Sequence, residues 1–353
     1  MFEIISLFTG MGGIDIGFCE DVIVHRDSVL DDGFIEREAD DVKDFVVLKR
    51  HPFKTVMQND IMKDAKEICD LNNWSHGYAL RDVREILADP EFTWPAADVV
   101  LGGFPCQPFS LAGKRQGMDC DKGTLYESFV DVVKRVKPKV FVAENVKGIL
   151  SMKGALERIC ADFGDAGYDV TSQLIKCEEY GIPQTRHRVI LIGLRKDLPR
   201  PDGEWHALTA NKTGPIAISK YFEHLEEPDS TDDDAQRVYS KAAKLQKGQG
   251  QIEIALNQPG PTMRAEHHGN IEFRRRSDGS NGEQHLPERR LSVREAALIQ
   301  TFPPKCVLTS KRPSMKAYRP IGNAIPPLLG WLIADRVKHI LTTHADASNH
   351  DAH

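Results

Sequence analysis

Four short motifs carry residue types that could do chemistry together. In Gly103-Phe104-Pro105-Cys106-Gln107-Pro108-Phe109-Ser110, a cysteine sits between two prolines, which stiffen the turn and fix the direction of the sulfur. A reactive cysteine acts as a thiolate and needs a polar, electropositive setting. The chain has seven cysteines, at 19, 69, 106, 120, 160, 177 and 306, and only Cys106 has this framing; the other six read as packing residues. Glu144-Asn145-Val146 supplies a carboxyl which, beside a nucleophile and shielded from water, can hold a raised pKa and donate a proton. Gln184-Thr185-Arg186-His187-Arg188 leads into a strand, and the period of two puts Arg186 and Arg188 on one side. Such a pair binds a carbonyl oxygen, a phosphate or a structural carboxylate, and taken alone it reads as the last of these.

The fourth motif, Phe8-Thr9-Gly10-Met11-Gly12-Gly13, follows a strand, so its glycines allow a tight turn and close backbone approach to a ligand. A dinucleotide fingerprint would need glycine at position 15, where Asp15 stands, which disfavours NAD. Asp60 ends the second strand and is placed to accept both hydroxyls of a ribose. Asp82 is placed to accept a purine amino group, with Ile61 and Val83 flanking the ring. Each acid alone reads as a surface residue or a cap. Behind a glycine turn, the set points to an adenosine-containing cofactor.

These motifs must be held by a scaffold, and the scaffold is legible as α/β. Phe2 to Phe8, Phe53 to Gln58, Asp98 to Leu101, Lys139 to Ala143 and Val189 to Ile192 read as strands. Their continuous Val/Ile runs suggest burial on both faces, as in a Rossmann-like, doubly wound, mostly parallel sheet. Leu125, Phe129, Val132, Val133 and Val136 line one face of a helix that Pro138 stops. Residues 1–197 therefore form one domain, which carries the four motifs. Residues 198–315 read as a second, smaller and irregular domain and hinge, dense in Pro, Gly, Asp and Asn over 198–289. Ser292-Val293-Arg294-Glu295 is a capping box, with Leu291 and Ala296 placed as its staple, opening a helix that ends before Pro303. Residues 316–345 are expected to return to the first domain, and 346–353 to fray.

Composition bounds the partners. Of 353 residues, 41% are hydrophobic and 28% charged, an ordinary balance for a folded protein. No run approaches the roughly 18 apolar residues a membrane span needs, and the first residues do not read as a secretion signal. An odd cysteine count without a C-x-x-C pair argues against both a disulfide framework and a zinc ribbon, so no metal and a reducing, cytoplasmic setting are expected. The net charge of −6 is concentrated: Glu20 to Asp44 holds ten acids against three bases, while Arg237 to Arg294 holds eleven bases against six acids. A basic surface on the second domain is compatible with a polyanion despite the overall sign.

Together, the four motifs resemble those of the DNA (cytosine-5) methyltransferases, and they occur in that family's order. Arg290-Leu291-Ser292-Val293-Arg294-Glu295, Gln300-Thr301-Phe302-Pro303 and Gly322-Asn323-Ala324-Ile325-Pro326 are similar to its closing motifs, so the resemblance spans nearly the whole chain. The long acidic stretch before Asp60 departs from it, since the family usually has a short helix and strand there; residues 198–289 match no motif, as its recognition domains generally do not.

The resemblance implies the compact bacterial or phage type, a monomer that modifies a specific sequence in double-stranded DNA within a restriction-modification system. By the same resemblance, Cys106 adds to carbon 6 of a flipped-out cytosine, Glu144 engages ring N3 with Asn145 holding it, and Arg188 binds O2 with Arg186 assisting. S-adenosylmethionine is implied as cofactor, against Phe8, Gly10, Met11, Gly12, Gly13, Asp60, Ile61, Asp82, Val83, Pro105, Asn323 and Ala324. Gln107, Ser110, Lys114 and Arg115, in a loop able to close over the base, and Arg264, Arg274, Arg275 and Arg276 are the expected DNA contacts. Two alternatives are transfer RNA as substrate and a non-catalytic nucleic-acid-binding protein on the same fold. The recognition region of about ninety residues speaks against the first, and retention of Cys106, Glu144 and Arg188 against the second.

Overall fold

The computed structural model describes residues 1–104, 123–208, 214–239, 252–265, 273–275, 289–308 and 315–350. The first half runs β1 (Phe2–Leu7), α1 (Gly13–Cys19), β2 (Ile23–His25), β3 (Ile35–Glu38), β4 (Phe45–Leu48), β5 (Phe53–Asp60), α2 (Lys63–Leu71), β6 (Tyr78–Leu80), α3 (Val83–Ala88), β7 (Val99–Gly102), α4 (Gly123–Val136), β8 (Val140–Val146), α5 (Ala155–Asp165), β9 (Tyr168–Lys176), β10 (Gln184–Thr185) and β11 (His187–Arg195). The second half runs α6 (Ser219–Phe222), α7 (Asp234–Arg237), β12 (Ile252–Glu253), β13 (Gly260–Pro261), β14 (Phe273–Arg275), β15 (Arg289–Arg290), α8 (Val293–Ile299), α9 (Tyr318–Asn323) and α10 (Pro327–His350).

A seven-stranded sheet in the order β6-β5-β1-β7-β8-β11-β9 forms the centre. From β6 to β8 the strands are parallel, and their runs are buried on both faces as expected: Ile4, Ile5, Val99, Val100, Val142 and Ala143 are sealed in the core. The departure is β11, which lies antiparallel between β8 and β9. Its apolar run reads the same in either direction, but only residues 177–186 separate it from β9, too few for the crossover a parallel partner requires. On the buried face of α4, Phe129, Val132 and Val133 pack against the sheet as their spacing predicts.

The acidic segment folds, although its sequence shows no element. β2, β4 and β3 form a small antiparallel sheet whose apolar strand, β4, buries all four of its residues. Val42 and Phe45 pack with Ile216, Tyr221 and Leu298, and the Ser28 hydroxyl lies 2.8 Å from that of Tyr221. At α8 the expected capping box is formed: Glu295 N donates to Ser292 Oγ at 3.0 Å and Ser292 N to Glu295 Oε2 at 2.8 Å. The C-terminal helix continues to His350, so residues 346–350, expected to fray, are helical.

This helix packs back across α1. Crossing α1 requires glycine on both sides: a Cβ on Gly17 would lie 2.3 Å from the Gly330 carbonyl carbon and the Trp331 nitrogen. Gly17→Ala is therefore expected to destabilise the fold by at least about 2 kcal/mol, because backbone on both helices must move apart. Urea denaturation measures this, and a native midpoint would contradict the packing.

Candidate active site

The end of the parallel sheet assembles the motifs. β7 and β8 pair with Gly102 beside Ala143, which brings Gly103 next to Glu144. The approach is close: a Cβ on Gly103 would lie 3.2 Å from Glu144 Oε2, so the carboxylate would have to shift by a few tenths of an ångström. Asn145 is buried, and its Nδ2 donates to the Phe104 carbonyl at 3.3 Å. Phe104 packs its ring against Tyr126 and Phe129 of α4, with centroids 5.7 and 5.8 Å away. The chain is thus pinned two residues before Cys106. Pro105, Cys106, Gln107, Ser110, Lys114 and Arg115 themselves lie outside the described residues, as does Arg276.

Glu144 meets Arg188 across the β8–β11 pair. Ile190 stands opposite Glu144 and Val146 opposite Arg188, so the two side chains are diagonal neighbours on one face. Arg188 Nε and Glu144 Oε1 form an ion pair, with the side chains 11% and 13% exposed. A carboxylate and a guanidinium are therefore fixed side by side, next to the strand end that leads to Cys106.

Arg186 differs from expectation. It is buried, with Nη1 donating to the Met263 carbonyl at 2.8 Å and Nη2 to those of Gly322 and Ala324, both at 3.1 Å. Burial, and then the like charge of Arg188, pull its guanidinium down to about 9. Its two terminal nitrogens are spent on backbone, while Nε has no hydrogen-bond partner among the described residues, so Arg186 clamps the segment holding Met263 and the C-terminal segment to the sheet. Gln184 and Gln300 extend the clamp: Gln184 Nε2 donates to Gln300 Oε1 at 2.8 Å, and Gln300 Nε2 to Ile321 and Ala324 carbonyls at 2.6 and 3.1 Å.

The glycine turn opens a crevice beside this centre. Phe8, Gly10 and Gly12 all adopt left-handed backbone, with φ of 54, 55 and 78°. Met11 and Gly13 are buried, and a Cβ on Gly13 would lie 3.2 Å from the Ala324 methyl. Asp60 Oδ2 accepts from Gly10 N at 2.8 Å and Oδ1 from Met62 N at 2.9 Å, while burial pushes its carboxyl above the ordinary range. Ile61 is 67% exposed, an unpartnered apolar side chain at the mouth. Asn323 is exposed and lies 3.9 Å from Met62 Sδ, so the C-terminal segment reaches the same crevice.

Asp82 stands at the N-terminus of α3. Its carboxylate caps α3 by accepting from Arg84 N at 2.8 Å and pairs with Arg84 Nη2 at 2.7 Å, while Val83 is buried. Sequence reading missed Tyr78, whose hydroxyl donates to the Gly10 carbonyl at 2.9 Å; it lies on a three-residue strand too short to be legible. Among the expected DNA contacts, Arg264 is exposed, and Arg274 and Arg275 lie on β14 opposite Arg290 and Arg289.

The class follows from the fold and these motifs. The family model for C-5 cytosine-specific DNA methylases matches residues 2–339, and the chain belongs to that family: it is a DNA cytosine-5 methyltransferase. It is 32% identical to the Type II methyltransferase M.BspRI of Lysinibacillus sphaericus, over 95% of this chain and 81% of the relative. To the Type II methyltransferase M.FnuDI of Fusobacterium nucleatum it is 31% identical, over 96% and 95%. The fold matches the crystal structure of the S. pombe Dnmt2 methyltransferase with a TM-score of 0.67 at 16% identity, covering 96% of this chain and 99% of that one.

Replacing Arg186 by methionine leaves the buried carbonyls it serves short of donors. Arg186→Met is expected to lose at least about 2 kcal/mol of unfolding free energy, at about 1–3 kcal/mol for each of the Met263 and Gly322 carbonyls, since Ala324 keeps Gln300 as a donor. Denaturant titration reads this; an unchanged midpoint would mean that the clamp carries no load.

Proposed function

We propose that this enzyme methylates carbon 5 of a cytosine extruded from a specific sequence in double-stranded DNA, through a covalent bond from Cys106. The observation that carries the proposal is the sheltered Glu144–Arg188 pair, on β8 and β11 beside the end of β7, the strand that runs into the Cys106 turn. A cytosine ring entering there meets a carboxylate for its N3 edge and a guanidinium for its O2. Arg188 supplies positive charge where negative charge develops, and Glu144 holds or delivers a proton at N3. Cys106 adds through its thiolate to carbon 6, which makes carbon 5 a nucleophile. It is eliminated, restoring the ring, once methylated carbon 5 has lost its proton.

The crevice fits the cofactor of the family, S-adenosylmethionine, which supplies a methyl group on a sulfonium when bound. Asp60 presents a carboxylate beside the turn of Phe8, Gly10, Met11, Gly12 and Gly13, able to accept from ribose hydroxyls, and exposed Ile61 offers an apolar face to a purine. Val83, Asn323, Ala324 and, from the motif, Pro105 complete the set; Asp82 contributes through the cap that holds α3. Within these roles the side chains bind and orient, while Cys106 does the covalent work. Arg264, Arg274, Arg275 and Arg276 are proposed to meet phosphates or guanine edges. Gln107, Ser110, Lys114 and Arg115 are proposed to follow the extruded base. The relatives' designation as Type II methyltransferases supports a role in protecting host DNA within a restriction-modification system, in the cytoplasm.

The test offers tritiated cofactor with unmethylated genomic DNA or with bulk transfer RNA, followed by bisulfite sequencing. The expected result is 5-methylcytosine at one recurring duplex sequence and none in the RNA; label confined to the RNA, or in neither, would overturn the proposal. Cys106→Ala is expected to lower turnover at least about 10³-fold while cofactor affinity, read by calorimetry, stays within about threefold. Residual turnover near native would remove the sulfur from the mechanism.

A further inference from the structure

Asp15 is a carboxylate that the reaction does not use, in a place where a carboxylate is costly. It is 3% exposed in the first turn of α1, and burial pushes its carboxyl above the ordinary range. Among the described residues no cation pairs with it, so nothing offsets the loss of solvation except hydrogen bonds. Three donors converge on it. Ser6 Oγ and Thr9 Oγ1 donate to Oδ2 at 2.9 and 2.6 Å, and Gln58 Nε2 donates to Oδ1 at 3.2 Å. Gln58 cannot turn its amide round, because its Oε1 accepts from His76 N at 2.8 Å. Favourable alignment with the helix macrodipole would account for an acid in this turn, but not for its aim at those three groups.

Of the three donors, Thr9 alone belongs to the glycine turn. Ser6 lies near the end of β1 and Gln58 lies on β5, the strand beside it; Thr9 stands between Phe8 and Gly10, two of the left-handed residues. A non-glycine residue at positive φ costs of order 1–3 kcal/mol and persists only where its surroundings over-determine it. Thr9 is held by its backbone, with N donating to the Asn59 carbonyl at 3.0 Å and O accepting from Gly12 N at 2.9 Å, and by its hydroxyl on Asp15.

We propose that Asp15 is a positioning residue for the cofactor: through Thr9 it locks the Phe8–Gly10 turn in the shape that receives the adenosine end, and a neutral amide cannot replace it. The inference rests on reading this crevice as the cofactor site. An asparagine there must turn its NH₂ either toward the Gln58 NH₂, donor against donor, or toward the two hydroxyls that now donate. The first choice sets two donors against each other at Gln58, and the second takes away the oxygen that accepts from Thr9, so each loosens the network that holds the turn.

The test is calorimetric binding of S-adenosylhomocysteine to the full chain, with KM for S-adenosylmethionine, kcat and melting temperature measured alongside. Asp15→Asn is expected to weaken binding and raise KM at least tenfold, about 1.4 kcal/mol, with kcat at saturating cofactor within about threefold of native. Thr9→Val, which deletes the hydroxyl at constant shape, should reproduce this split, and Thr9→Ser, which keeps it, should restore native binding. Ser6→Ala removes a donor from the same oxygen but outside the turn; it should lower the melting temperature and leave affinity unchanged. Native affinity in Thr9→Val, or a loss in Ser6→Ala equal to that in Thr9→Val, would overturn the proposal even if Asp15→Asn fails to fold. A native chain that does not bind the probe would overturn the cofactor reading itself, and this inference with it.

Discussion

The register between β8 and β11 is the constraint on which the site depends. Pairing Ile190 with Glu144 puts Arg188 diagonally across from that carboxylate, on the same face and beside the strand end leading to Cys106. A slip of one residue would carry Arg188 to the opposite face of the sheet, leaving Glu144 without its partner. The register is held because β11 is clasped on both sides, by β8 and by β9, each antiparallel, and because its central residues are buried on both faces. The chemistry is therefore set by ladder hydrogen bonds far more than by the two charged side chains themselves, whose mutual attraction alone would be worth little at a wetter surface.

A second constraint is closure of the chain. Residues distant in sequence must share one crevice: the glycine turn near the start, the carboxylate and arginine of the middle strands, and Asn323 and Ala324 near the end. Close backbone approach at Gly13 and Gly17 admits the returning segment, and Arg186, Gln184 and Gln300 fasten it with buried donors aimed at carbonyls. The acidic segment contributes from outside, bracing residues 216–225 through Phe45 and Tyr221 and touching α10 through Phe34 and Trp331. Its charges face solvent while its apolar strand does the packing, which explains why a strongly acidic stretch is compatible with a polyanion-binding enzyme.

How far this was legible follows from what each residue interacts with. Strands β1, β7 and β8 could be read because burial on both faces leaves uninterrupted Val/Ile runs, and α8 because a capping box is a side-chain pattern. The direction of β11 could not, since an apolar run carries no polarity. Glu144 and Arg188 stood out as side chains that do chemistry, at spacings tied to strand ends. The clamp role of Arg186 was hidden because its partners are backbone carbonyls, to which any sequence contributes equally. Asp15 was visible only as the place where a glycine was missing; its meaning comes from Ser6, Thr9 and Gln58, which ordinary helix or strand periodicity does not connect. The acidic sheet was illegible for a similar reason, its packing partner Tyr221 lying far along the chain.

The central claim is that one sulfur bonds transiently to the base opposite the Glu144–Arg188 pair. Its most direct test is mass spectrometry of the enzyme with cofactor and duplex DNA carrying 5-fluorocytosine at the modified position, where fluorine replaces the proton whose loss normally releases the enzyme. The account predicts a stable complex with the mass of protein, DNA and one methyl group, mapping by peptide digestion to Cys106. Efficient methylation of the unfluorinated duplex with no such complex, or a complex mapping to any other cysteine, would contradict it.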